Sequence, residues 1–180
     1  MAKLHNYNGR YCETEYENAF LSFLEEAGWN YLPGSSLPRT SMRDVLYVDD
    51  MEYFLNKTNP DLTADEIQQI MDTVRLAGAE SDFATLHKVY GWMVNGIQFT
   101  PQSGLPIMVN LIDFENPEKN VFRAVNQFIV EYTNNGQTEN RRPDILLFVN
   151  GIPLCIVELK NPADGNATIY GAWEQINLRY

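Results

Sequence analysis

Between Glu15 and Ala27 apolar residues return at helical intervals, at Tyr16, Phe20, Phe23, Leu24 and Ala27, and Gly28 follows as a stop. The spacing predicts an amphipathic helix that docks on a sheet. Helical periodicity resumes from about Asp49 to Asn95. It is punctuated by Asn59-Pro60 and restarted by a capping box at Thr63-Ala-Asp-Glu66, in which hydroxyl and carboxylate each satisfy the other's backbone amide. The aromatic and methionine side chains of this stretch read as core rather than as a binding surface. Strands are predicted next at Ile97 to Phe99, Pro106 to Asp113 and Ala124 to Thr133, the last because Phe128, Val130 and Tyr132 alternate with Gln127, Ile129 and Glu131. Asn134-Asn135-Gly136 marks a turn. Two short apolar runs, Ile145 to Val149 and Leu154 to Val157, flank Asn150-Gly151, the strongest short-range hairpin signal. Pro153 then opens the second arm, where its missing N–H does little harm. Asn161-Pro162 ends that arm. A last helix from about Ala167 to Tyr180 carries Ile169, Ala172, Trp173 and Ile176 as an apolar stripe, with Gln175 and Arg179 on a separate face.

Helix, strands and helix in this order predict an α/β (α+β) fold with a central mixed, mostly antiparallel sheet flanked by helices. At 180 residues and 44% hydrophobic content the chain fits one globular domain, residues 1–180, with a helical insertion at 49–95. Its periodic last helix reaches Tyr180 without a glycine or proline stop, so we expect an N-terminal piece of a longer polypeptide. Cys12 and Cys155, the latter inside a predicted core strand, form no disulfide framework, and Met1 to Arg10 hold no apolar signal segment. The expected setting is reduced and cytoplasmic. His5 and His87 lack zinc-site spacing, and no Walker-type phosphate loop is present. A net charge of −11 is awkward for a surface that binds nucleic acid. The tract from Arg141 to Tyr180, however, holds four basic and four acidic residues, so the acidic excess lies in residues 1–140.

Candidate chemistry concentrates in that locally neutral tract. Asp144 precedes one apolar run, and Glu158-Leu159-Lys160 follows the other. A two-residue turn would set Asp144 opposite Val157 and send Glu158 to the other face; an odd loop, or a bulge, would bring the two carboxylates together. Lys160 shares the face of Glu158 in either case. Two carboxylates about 4 Å apart repel by about 1 kcal/mol in water and by several times that when partly buried, so a cation belongs between them. Few ligands, all oxygen, suit Mg²⁺, or Mn²⁺ as its substitute, and the Leu159 carbonyl is a plausible third donor. Lys160 would orient a water or stabilise pentavalent charge on a phosphate. The plainer alternative makes Asp144 a turn residue after Pro143, and Glu158 and Lys160 solvent-facing residues of an edge strand. A charge that ends the buried run Ile156-Val157 favours the functional reading.

The tract Arg141-Arg142-Pro143-Asp144 through Val157-Glu158-Leu159-Lys160-Asn161-Pro162-Ala163-Asp164 resembles the nuclease motif of the restriction (R) subunit of type I restriction-modification enzymes, a branch of the PD-(D/E)XK superfamily. Leu111 to Asn120, Val125 to Phe128 and Glu17 to Trp29 resemble it as well, so the similarity covers nearly the whole chain. The resemblance implies an αβββαβ core, here without its closing strand, and an ATP-dependent enzyme that translocates double-stranded DNA and cuts it away from its recognition site. ATP chemistry would belong to other sequence, and the methyltransferase and specificity subunits would be partners. The family's Q-x-x-x-Y motif is met by Gln175, with Tyr180 one residue late; Arg179 could then meet a phosphate. The family also places an acidic residue of the first helix near the metal, here Glu17. Thr14-Glu15-Tyr16-Glu17 equally reads as a capping box, which would occupy the same carboxylate. Two other classes stay open: a free-standing repair or junction-cleaving nuclease, and a non-catalytic protein-docking domain that keeps the nuclease fold.

Overall fold

A computed structural model describes residues 13–79, 82–134, 136–160 and 168–179. In chain order its elements are α1 (Glu13–Glu26), β1 (Asn30–Pro33), α2 (Val48–Thr58), α3 (Ala64–Arg75), α4 (Asp82–Asn95), β2 (Ile97–Phe99), β3 (Ile107–Val109), β4 (Phe122–Asn126), β5 (Val130–Asn134), β6 (Gln137–Arg141), β7 (Ile145–Val149), β8 (Ile152–Val157) and α5 (Ile169–Arg179). Contacts divide them into two compact units. One takes the chain before Leu46, residues 122–148 and residues from Pro153 on; the other takes residues 46–121 and the hairpin tip 149–152. Among the described residues, no helix is long and apolar enough to cross a membrane.

The first unit is built on a four-stranded sheet of order β1-β4-β7-β8. β1 runs parallel to β4, with Tyr31 beside Ala124. The Gln127 N–H donates to the Asp144 carbonyl at 3.0 Å and the Asn150 N–H to the Val121 carbonyl at 2.9 Å, so β4 and β7 run antiparallel. α1 covers one face: Leu21 and Leu24 pack on Ala124 and Ile145, with Phe20, Tyr31, Leu147, Val157 and Leu159 around them. The buried stripe of α1 is therefore Glu17, Leu21 and Leu24, whereas Phe23 is 62% exposed and Ala27 is exposed. The helix is rotated from its expected seating, so that a carboxylate faces inward. Thr14 lies inside α1 and does not cap it.

A single strand over 124–133 is not formed. Gln127 takes a left-handed φ of 51°, which ends β4 at Asn126 and turns the chain before β5. β5 pairs with β6 as a separate antiparallel ribbon in which Tyr132 faces Glu139. The long strand expected over 106–113 shrinks to β3, because Asp113 Oδ1 accepts the N–H groups of Glu115 and Asn116 and closes a local turn instead of continuing the ladder. Cys155, expected in the core, is exposed on the edge strand β8.

The second unit gathers α2, α3 and the β2–β3 ribbon around Met51, Phe54, Leu55, Ile67, Ile70, Met71, Val74, Ile97, Val109 and Leu111. Its predicted capping box forms: Thr63 Oγ1 accepts from the Glu66 N–H while Glu66 Oε2 accepts from the Thr63 N–H. Glu66 Oε1 also accepts the Gln102 N–H at 2.8 Å.

Candidate active site

The hairpin that delivers Asp144 and Glu158 turns through two residues, Asn150 and Gly151, with φ of 50° and 77°. The loop is therefore not odd. Strict pairing across it would set Ile156 on the face of Ile145. Val157 and Leu159, however, join Ile145 and Leu147 in the cluster under α1. Those contacts depart from strict pairing, and the alternation of β8 breaks at Leu154 and Cys155, which are both exposed. Asp144 stands just before β7, and hydrogen bonds rather than strand alternation bring it together with Glu158 and Lys160. Glu158 to Lys160 lie just past β8 rather than within it.

Each of these side chains is held. Asp144 Oδ2 accepts the Leu159 N–H at 2.7 Å, which brings its carboxylate to within one peptide unit of Glu158. Gln175 on α5 spans the other two: its Nε2 donates to Glu158 Oε2 at 2.7 Å, and its Oε1 accepts from Lys160 Nζ at 2.7 Å. The bond sense is dictated by chemistry, since an ammonium can only donate and a carboxylate only accept. One primary amide thus bonds both an acid and a base of the group. α5 presents Gln175 inward while Ile169, Trp173 and Ile176, the expected packing stripe, stand exposed.

Glu17 stands on the buried face of α1. It is only 8% exposed, and its two oxygens accept from Asn126 Nδ2 at 2.6 Å and Gln127 Nε2 at 3.0 Å. Asn126 Oδ1 in turn accepts the Tyr31 hydroxyl at 3.2 Å. Burial, then the negative charges of Glu17 and Glu25, push the Tyr31 hydroxyl upward from its ordinary pKa. Asn126 and Gln127 were not singled out for chemistry from the sequence. The usable signal was two amide side chains in a row where a strand meets the core residue Phe128. Asp144, Glu158, Leu159, Lys160 and Gln175 form one hydrogen-bonded group, joined to Glu17 through Gln127. The side chains of Arg179 and Tyr180 lie outside the described residues.

The donor set suits a hard divalent ion. Carboxylate oxygens that already accept one N–H keep a second lone pair, and Glu158 Oε1 is buried from solvent. Among the described residues, no cluster of three or more His, Cys, Asp or Glu side chains could hold an ion. Two carboxylates and the Leu159 carbonyl would leave coordination places for water or phosphate oxygens, as Mg²⁺ and Mn²⁺ allow.

Among the described residues five helices and a mixed four-stranded sheet, with no barrel, and an acid before one central strand and an acid-x-lysine after its neighbour, make a PD-(D/E)XK-like α+β protein. The family described as the type I restriction enzyme R protein N terminus matches residues 10–180, and the chain belongs to it. It is 32% identical over 177 residues to the type I restriction enzyme HindI endonuclease subunit of Haemophilus influenzae, covering 91% of this chain and 16% of that protein. It is 36% identical over 156 residues to a Methanocaldococcus jannaschii protein that carries the name of a type I restriction enzyme endonuclease subunit, MjaIXP, covering 81% and 15%. The chain thus spans about a sixth of the length of these relatives.

Proposed function

We propose that this chain is the Mg²⁺-dependent endonuclease domain of a type I restriction-modification R subunit, hydrolysing phosphodiester bonds of double-stranded DNA. ATP-driven translocation would come from the remainder of a subunit of the relatives' size, and the methyltransferase and specificity subunits would be its partners. The observation that carries the reading is the Gln175 amide bridging Glu158 and Lys160, with the Asp144 carboxylate hooked on the intervening Leu159 amide.

Asp144, Glu158 and the Leu159 carbonyl would hold the ion, which supplies Lewis-acid polarisation of the phosphate and a lowered pKa for a bound water. Lys160 contributes a fixed positive charge beside the pentavalent phosphorus, where it stabilises developing negative charge. Gln175 orients both the Lys160 ammonium and the Glu158 carboxylate by hydrogen bonds to each. Arg179 is proposed to contact a phosphate of the bound strand.

The test is calorimetric titration of the chain with Mn²⁺. Wild type should bind, and Asp144→Ala should lose about a hundredfold or more in affinity, as expected when one of two carboxylate ligands is removed. No binding by wild type, or none of the loss in the variant, would sink the catalytic reading and leave a docking domain. In an assembled restriction complex, Lys160→Ala should abolish cleavage while ATP hydrolysis and translocation continue.

A further inference from the structure

Two adjacent arginines lead the chain into Asp144, and they are in opposite states. Arg141, the last residue of β6, is spent within the chain: its guanidinium lies 4.8 Å from the centre of the Tyr132 ring and 3.4 Å from a Glu139 carboxylate oxygen. Arg142 is exposed, and among the described residues its side chain has neither a hydrogen bond nor an ion pair. The other cations described in the same unit are all engaged. Arg39 donates to the Ile129 carbonyl at 2.7 Å and covers the Phe128 ring, Arg43 donates to Thr133 Oγ1 at 3.1 Å, Lys160 donates to Gln175, and Arg123 has a partner as well. Among the described residues, Arg142 is thus the one positive side chain that this unit leaves open, and it stands two residues before a proposed metal ligand.

The link between Arg142 and Asp144 is short and stiff. A residue before proline is confined to extended backbone, and Pro143, which is buried, fixes its own φ. The Asp144 end is tied twice, by its carbonyl to the Gln127 N–H and by its carboxylate to the Leu159 N–H. Two residues span at most about 7 Å of chain, so the guanidinium is rooted beside the acid and cannot drift from it. A strand whose phosphate is drawn to an ion on Asp144 would bring its next phosphates past that root. An open guanidinium offers five donors in a planar fork that matches phosphate oxygens in pairs, and it keeps its charge at any working pH. Arg141 could offer the same only by giving up its ring and its carboxylate. We infer that Arg142 binds a backbone phosphate of the DNA strand beside the one that the metal centre cuts, while Arg141 braces the β5–β6 ribbon. The inference rests on the nuclease reading above and adds to it the residue that seats the strand.

The experiment compares wild type, Arg142→Gln, Arg141→Gln and Asp144→Ala by thermal unfolding, Mn²⁺ titration and DNA binding. Binding of a short duplex is followed by fluorescence anisotropy without divalent ions, over a salt series that starts at about 0.02 M, where electrostatic binding is strongest. Arg142→Gln should make the log–log salt slope shallower by about one, as the loss of a single phosphate contact does, and should keep the Tm and the Mn²⁺ affinity of wild type. Arg141→Gln should lower the Tm and leave the slope alone. In an assembled restriction complex, Arg142→Gln should slow cleavage about tenfold or more, the scale of one charge-assisted hydrogen bond, with ATP hydrolysis retained. An unchanged slope in Arg142→Gln, equal changes of slope in the two arginine variants, or full cleavage by the Arg142→Gln complex would each overturn the inference. A wild type that fails to bind the duplex at the lowest salt would do the same. If wild type takes no Mn²⁺, or Asp144→Ala takes it equally well, the nuclease reading itself falls; where Mn²⁺ binds and is lost in Asp144→Ala, those DNA results remove the role of Arg142 alone.

Discussion

At the scale of single residues, the turn residue Asn150 shows how a correct local reading can miss the reason for a residue. The dipeptide Asn150-Gly151 announces a tight turn, and the turn forms with both residues left-handed. Yet Asn150 is 1% exposed. Its Oδ1 accepts the Val121 N–H at 2.7 Å, and its Nδ2 donates to the Leu111 carbonyl and to Asn120 Oδ1. Asn150→Ala would strand a buried amide and a buried carbonyl, each costing about 1 to 3 kcal/mol, and would place alanine at positive φ for about 1 kcal/mol more. We expect a loss of about 3 to 5 kcal/mol in urea unfolding; a value under about 1 kcal/mol would mean that water replaces the side chain. Gly151 is equally constrained, since a Cβ there would collide with the Tyr47 carbonyl. The acids and the lysine of the candidate site could be singled out from the sequence because residue type and spacing alone mark them. Asn126 and Gln127 were not, because an amide is informative only once its partner is known, and Glu17 lies more than a hundred residues away.

At the scale of elements, what could be read followed local chemistry and what could not followed tertiary pairing. The helical stretch from about Asp49 to Asn95, its break at Asn59-Pro60 and the cap at Thr63 were legible, because caps and proline act within a few residues; the further break between α3 and α4 was not. β1 was not: Asn-Tyr-Leu-Pro has no alternation, and its strand character comes from parallel pairing with β4. β6, Gln-Thr-Glu-Asn-Arg, has no apolar face and exists as the mate of β5. The register of β7 and β8 was posed as a question of parity, and what bears on it, Val157 packing with Ile145 and Leu147 across a two-residue turn, is tertiary rather than local. The cap offers a sharper test. Hydrogen bonds from the Thr63 amide, then from the Gln102 amide, then from the Thr63 hydroxyl, hold the Glu66 carboxyl below its ordinary pKa. A depressed folded pKa means stability that is complete above about pH 4.3 and is lost as pH falls through the folded value. Glu66→Gln should therefore flatten the acid limb of an unfolding-versus-pH curve, while Thr63→Ala should cost about 1 kcal/mol near neutrality. The flattening should be partial, because the Asn116 amide lowers Asp113 in the same window. An acid limb unchanged by Glu66→Gln would show the box intact but unlinked to protonation.

At the scale of the whole molecule, the charge that looked awkward for a DNA enzyme is unevenly shared. The unit holding residues 46–121 and 149–152 carries twelve acidic and four basic residues, whereas the unit with the candidate site carries twelve and nine. Most of the net −11 thus belongs to the unit without the site. Screening over about 8 Å at physiological salt leaves the chemistry governed by near neighbours, among them Lys160, and lets the remaining acids act on approach rather than on catalysis. Affinity for duplex DNA comes from phosphates neutralised by lysine and arginine, each releasing about one counterion. With so few basic residues in excess anywhere on the chain, a large counterion term cannot arise. We expect the 180-residue chain to bind a short duplex no tighter than about 10⁻⁴ M near 0.15 M salt, with a log–log salt slope shallower than about −2. Fluorescence anisotropy across a salt series measures both quantities. Micromolar binding with a slope near −5 or steeper would reveal a basic track that the unit charges conceal, and the chain could then find DNA by itself. A weak, shallow response would instead make delivery of DNA the task of the larger assembly, so that a competent metal centre cuts only where other parts hold the duplex against it.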